Sequence, residues 1–130
     1  MAGQHHPPDY SRGDERTIGG YMAVHARPAA FEGSDGYSYS VEIVADTTGE
    51  RDRPYGAYFL FLRWKRMGEQ GIAGHLESDY LVRGASEAEV RHELGRLPLA
   101  QVKATLEALI AAAAGAAPTR KWYDVMRDDD

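Results

Sequence analysis

Residues 55–83 read YGAYFLFLRWKRMGEQGIAGHLESDYLVR, and this stretch decides the fold. In the first arm, Tyr55, Ala57, Phe59 and Phe61 alternate with Tyr58, Leu60, Leu62 and Trp64, so an extended chain is apolar on both faces. Such a strand belongs in the middle of a sheet, covered by helices on one side and by something else on the other. Arg63, Lys65 and Arg66 mark where it emerges into water. Residues 67–71, MGEQG, supply a glycine-containing turn. The return arm carries Ile72, Leu76, Tyr80 and Val82 in one register and Ala73, His75, Glu77, Asp79 and Arg83 in the other. The pattern predicts a long β-hairpin.

Upstream, residues 37–46 (YSYSVEIVAD) have the clearest period of two in the chain. Tyr37, Tyr39, Val41, Ile43 and Ala45 share one face, and Ser38, Ser40 and Glu42 the other. This predicts a half-buried antiparallel strand. Asp35-Gly36 before it is a turn signal. Residues 17–30 (TIGGYMAVHARPAA) alternate less cleanly. They are read as a first strand, with Gly19–Gly20 as a bulge and Pro28 as its end. Residues 1–16 are polar and read as a disordered tail, in which the His5–His6 pair is incidental.

Downstream, the order changes from strands to helices. Ser86 and Glu89 form a capping box: Ser86 accepts from the Glu89 N–H, and Glu89 reaches back to Ser86. Val90, Leu94 and Leu97 give that helix an apolar face, with Gly95 as its stop. Pro98 opens a second helix, where Leu99, Val102, Leu106, Leu109, Ile110 and Ala113 recur at helical spacing. Residues 118–130 are a tail in which Trp122, Tyr123, Val125 and Met126 offer a docking segment or contact peptide. The expected architecture is one α+β domain over residues 17–117. It comprises a four-stranded antiparallel β-meander followed by two C-terminal α-helices packed on one face of the sheet.

Composition narrows the function classes. A chain of 130 residues holds a sizeable core without staples. It contains no cysteine, which excludes disulfides, thiolate zinc sites and cysteine nucleophiles. There is no apolar run long enough for a membrane span and no signal-peptide core, so a cytoplasmic location is expected. The net charge of −5 disfavours nucleic acid as a partner. No GxGxxG, Walker loop, HExxH, GxSxG or SxxK motif is present, and no catalytic residue, metal ligand set or cofactor is assigned.

Two constellations remain. His75, Glu77 and Asp79 share one strand face at steps of about 6.5–7 Å, a set with the chemistry for a hard divalent cation or for acid–base work. His25 or Arg63 would complete it from a neighbouring strand. Strand alternation alone generates the same spacing. The second constellation is aromatic: Tyr58 and Trp64 with Arg63 and Lys65 are suited to stacking bases and holding phosphates. Four strands followed by a helix is similar in layout to small single-strand binders such as the Whirly and PUR domains, whose motifs are not present here. The two-sided apolar strand points elsewhere. If helices cover one face only, a partner or a second copy buries the other. The expected function is therefore a small non-enzymatic binding or regulatory domain acting through protein–protein contact or homodimerisation. Single-stranded nucleic-acid binding is one alternative, and a small enzyme or metal site on the fourth strand is another.

Overall fold

A computed structural model describes residues 7–65 and 71–116. Helix α1 (Ile18–His25) is followed by strands β1 (Ala30–Glu32), β2 (Ser38–Thr47), β3 (Tyr55–Trp64), β4 (Ile72–Glu77) and β5 (Val82–Gly84). Helices α2 (Glu87–Gly95) and α3 (Leu99–Ala116) come last. Strands β1 to β4 are neighbours in sequence order, every pairing is antiparallel, and β5 pairs with the first residues of β3. The α+β meander with two C-terminal helices on one face is thus the observed architecture.

The central hairpin reading holds for β3, which is flanked by β2 on one side and by β4 and β5 on the other. The return arm is two strands and not one. It leaves the ladder at Ser78, whose hydroxyl accepts from the Phe59 N–H at 3.1 Å. It rejoins β3 when Leu81 donates to the Ala57 carbonyl at 2.9 Å. A bulge between Arg63 and Trp64 sets Ile72 opposite Trp64.

Residues 17–30 depart from the expected strand. Thr17 caps a helix by accepting from the Gly20 N–H at 3.0 Å, and α1 runs from Ile18 to His25. Its two glycines are not a bulge. Gly19 lets α1 cross α2 at backbone contact, where an added Cβ would lie 3.0 Å from the Gly95 Cα, and Gly20 makes room for the Asp14 carbonyl. Gly95 has the role matching that of Gly19; α2 does end at it, as the sequence suggests, but the cap that follows is Arg96 in right-handed geometry and not a left-handed glycine. The chain leaves α1 through Ala26, held left-handed at φ 54°. The real first strand is the short β1 segment after Pro28. Asp35-Gly36 does form the turn into β2, with Gly36 at φ 87°.

The capping box differs in one detail. Glu89 donates its N–H to Ser86 Oγ at 3.1 Å, but its carboxylate accepts from the Ala85 N–H and not from Ser86. The N-terminal segment, expected as a tail to residue 16, makes defined contacts from Asp9 onward: Asp9 donates to the Val24 carbonyl at 3.0 Å and caps a 3-10 turn at Tyr10–Arg12. The His5–His6 pair, the turn at residues 66–70 and the C-terminal residues from 117 lie outside the described residues.

One core holds these pieces together. Tyr39 and Val41 of β2, with Ala57, Phe59 and Phe61 of β3, are fully buried against Ile18 of α1, Leu94 of α2, and Val102 and Leu106 of α3. Each large aliphatic side chain so buried contributes about 1.5–3 kcal/mol before entropy. All three helices therefore lie on the odd-numbered face of β2 and β3.

The α1–α2 crossing makes opposite predictions for two glycines. Gly19→Ala forces backbone against backbone and should cost about 1–3 kcal/mol. Gly115→Ala meets nothing within 4 Å and should stabilise α3 by up to about 1 kcal/mol. Thermal unfolding of the two variants checks both signs.

Candidate binding surface

Register fixes what lies on the other face. Directly paired residues of antiparallel strands point the same way, so Val44 stands beside Tyr58, Ser40 beside Leu62 and His75, and Glu42 beside Leu60 and Glu77. Down the middle of this face runs β3's even set: Tyr58, Leu60, Leu62 and Trp64. None of these, nor Val44, belongs to the core cluster or packs against it. Trp64 is 40% exposed and Ile72 beside it 49%. The face carries a continuous apolar strip that no described helix covers.

Its borders are polar and chiefly acidic. Glu32, Glu42 and Asp46 flank it on the β1–β2 side and Glu77 on the β4 side. At one end Tyr80 folds over the strip. Its ring lies on Gly56, where an added Cβ would sit 2.5 Å from the Tyr80 Cδ1. The Tyr80 hydroxyl donates to the Thr47 carbonyl at 3.0 Å, and its ring meets Tyr58 edge-on at 5.8 Å. Arg83 stacks on the outer face of Tyr80 and pairs with Glu50. At the other end the Trp64 Nε1–H donates to Ser40 Oγ at 3.0 Å. Both aromatic ends are thereby anchored by hydrogen bonds, and Leu60 and Leu62 lie between them.

The residues singled out from sequence separate. Tyr58, Trp64, His75 and Glu77 share this face. Arg63 does not: it projects on the helix side, with its guanidinium 4.8 Å from the Tyr37 ring centre and packed on Gly74. Lys65 is exposed just past β3. His75 Nε2 stands 3.6 Å from Glu77 Oε2, but Asp79 lies beyond the end of β4. His25 is on α1, against Tyr21 and Glu15, and completes no cluster with them. Among the described residues no group of three or more His, Asp or Glu side chains gathers to hold a metal. Other aromatics of the segments expected as strands lie elsewhere: Tyr21 is on α1, and Tyr37, Tyr39, Phe59 and Phe61 face the helices.

A polar cluster that sequence reasoning missed sits at the β1–β2 turn. The Tyr39 hydroxyl donates to Asp35 Oδ2 at 2.7 Å beneath α3. Burial, followed by the Asp35 carboxylate, pushes the Tyr39 pKa up to about 12, with Arg63 pulling it down. Only the alternation of YSYS hinted that a tyrosine would be this deep. Two concavities accompany these features. A cleft of about 610 Å³ is lined by Arg12, Arg91 and Arg96, yet each arginine is paired with a carboxylate: Asp9, Glu87 and Glu93. A groove of about 430 Å³ runs between α1 and the outer edge of β2.

No family model matches the chain, and neither a curated protein nor a solved structure matches it. Among the described residues no helix is long and apolar enough to cross a membrane.

The Tyr39 environment has a pH signature. Its folded pKa is raised above the unfolded value of about 10, so its contribution is complete below pH ~10 and fades as pH rises towards 12. Tyr39→Phe should flatten the loss of stability across that window. Urea denaturation at successive alkaline pH values reads the slope; an unchanged slope would contradict the assignment.

Proposed function

We propose that this chain is a small binding or regulatory domain without chemistry of its own, acting through protein–protein contact at the open sheet face. The carrying observation is the one-sided placement of the helices, which leaves Tyr58, Leu60, Leu62 and Trp64 as an apolar strip. A contiguous apolar surface rimmed by polar groups is characteristic of an interaction site. Aromatic anchors held rigid by their own hydrogen bonds lose little entropy on docking. Trp64 and Tyr80 have this property.

The same face speaks less for nucleic acid. Its rim is acidic, Arg63 points away from it, and Arg83 is paired with Glu50. Phosphate recognition needs cations aligned with the stacking rings. Self-association is the simplest version of the protein-contact reading, because the stacking of two sheet faces buries both strips.

The wild-type chain should therefore show a solution mass of about twice 14.4 kDa at micromolar concentration, by light scattering or sedimentation. Leu62→Asp should return it to the monomer with a melting temperature within a few degrees of a monomeric reference, since the side chain lies outside the core and is only partly buried. A concentration-independent monomer would remove self-association. If Leu62→Asp also unfolded that monomer, the strip would be covered within the chain and the reading would fall.

A further inference from the structure

Strand β2 is paired along its whole length with β3, but with β1 only over Ser38–Ser40. The Val41 N–H closes that short pairing on the Ala29 carbonyl at 3.1 Å, after which the chain turns away through Pro28 into α1. Beyond this point the other edge of β2 is open. Main-chain groups alternate in direction along a strand, and Val41 shows that the odd-numbered residues point outwards. The Ile43 carbonyl accepts from Arg91 Nη1 at 2.8 Å, and the Thr47 N–H is taken by Asp46 at 2.8 Å. The Ile43 N–H and both main-chain groups of Ala45 have no partner among the described residues.

The groove of about 430 Å³ lies along this edge. Met22, Pro28, Val41 and Ile43 make it mainly apolar, and its charged lining is Arg27, Arg91 and Glu42. Arg27 is exposed and stacked on Tyr21 at 5.4 Å, with no carboxylate partner among the described residues. Arg91 holds Glu87 through its Nε at 3.1 Å, while its Nη1 donates to the Ile43 carbonyl, at the place where the N–H of an added strand would bond.

We infer that the Ile43–Ala45 edge and its groove accept an extended peptide strand of another protein, with an apolar side chain towards Met22 and Pro28 and a carboxylate towards Arg27 and Arg91. Strand addition draws affinity from main-chain hydrogen bonds and selectivity from the pocket beside them. On binding, the Ile43 carbonyl exchanges the Arg91 guanidinium for a peptide N–H, and Arg91 turns to the peptide carboxylate. A second copy is the poorer occupant. Its β2, laid edge to edge, would carry Glu42 and Asp46 on the face away from the helices, out of reach of both arginines.

The test uses the full chain and a short dye-labelled peptide of Thr-Val-Thr-Glu repeats, which places valine and glutamate on one strand face, with a peptide carrying lysine in place of glutamate as control. The acidic peptide should bind saturably and slow amide hydrogen exchange at Ile43 and Ala45. Ala45→Pro removes an outward N–H without breaking the β3 ladder, and should weaken binding roughly tenfold. Arg27→Glu, at an exposed position, should weaken it by a similar factor, and Leu62→Asp should leave it unchanged. Equal affinity for the lysine peptide, or full affinity in both Ala45→Pro and Arg27→Glu, would overturn the inference. So would binding lost in Leu62→Asp alone, which would place the peptide on the open face.

Discussion

Pairing of β3 along both of its edges is the constraint on which the rest depends. With β2 on one side and β4 and β5 on the other, its backbone is satisfied and its side chains have only the two faces of the sheet to occupy. Phe59 and Phe61 take the inner face and are fully buried, so Ile18, Leu94, Val102 and Leu106 must gather there. The same geometry turns Tyr58, Leu60, Leu62 and Trp64 outwards. Core and candidate interface are thus two sides of one strand, and no substitution of register could move one without the other.

The helices reach the inner face by different means. Helix α3 covers it with a regular apolar stripe, whereas α1 and α2 come close enough only because Gly19 and Gly95 have no side chains where they cross. That contact, with the left-handed exit at Ala26, determines where Pro28 and β1 begin. Because β1 is short, half of β2's outer edge stays unpaired, and the groove beside it is a by-product of how α1 packs. Two different kinds of surface follow: an apolar face without helices and a strand edge without a neighbour.

Acidic groups border the first surface, whereas the second is lined by two arginines with Glu42 beside them. Glu42 and Asp46 stand on the open face beside the strip, whereas Arg27 and Arg91 belong to the helical side. Charge selects partners more than it adds affinity. The ligands proposed for the two surfaces accordingly differ in character.

Period-two and helical-period patterns in the sequence were sufficient for β2, β3, α2 and α3 and for their order. Those segments each bury a continuous face, and burial is what periodicity records. The sequence also indicated that β3 would be apolar on both sides and that His75 and Glu77 would share a face. It misread residues 17–25 as a strand, because the glycines weaken a helix locally and Thr17 caps it only when Ile18 can be buried under Leu94 and Val102. It grouped Asp79 with His75 and Glu77 because alternation does not reveal where a strand leaves its ladder. Which face the helices take, that Arg63 projects on their side of the sheet, and that β2 keeps an open edge were decided only by tertiary structure. Each depends on contacts between segments far apart in the chain, such as Gly19 with Gly95 and Arg91 with Ile43, and a local pattern carries no record of them.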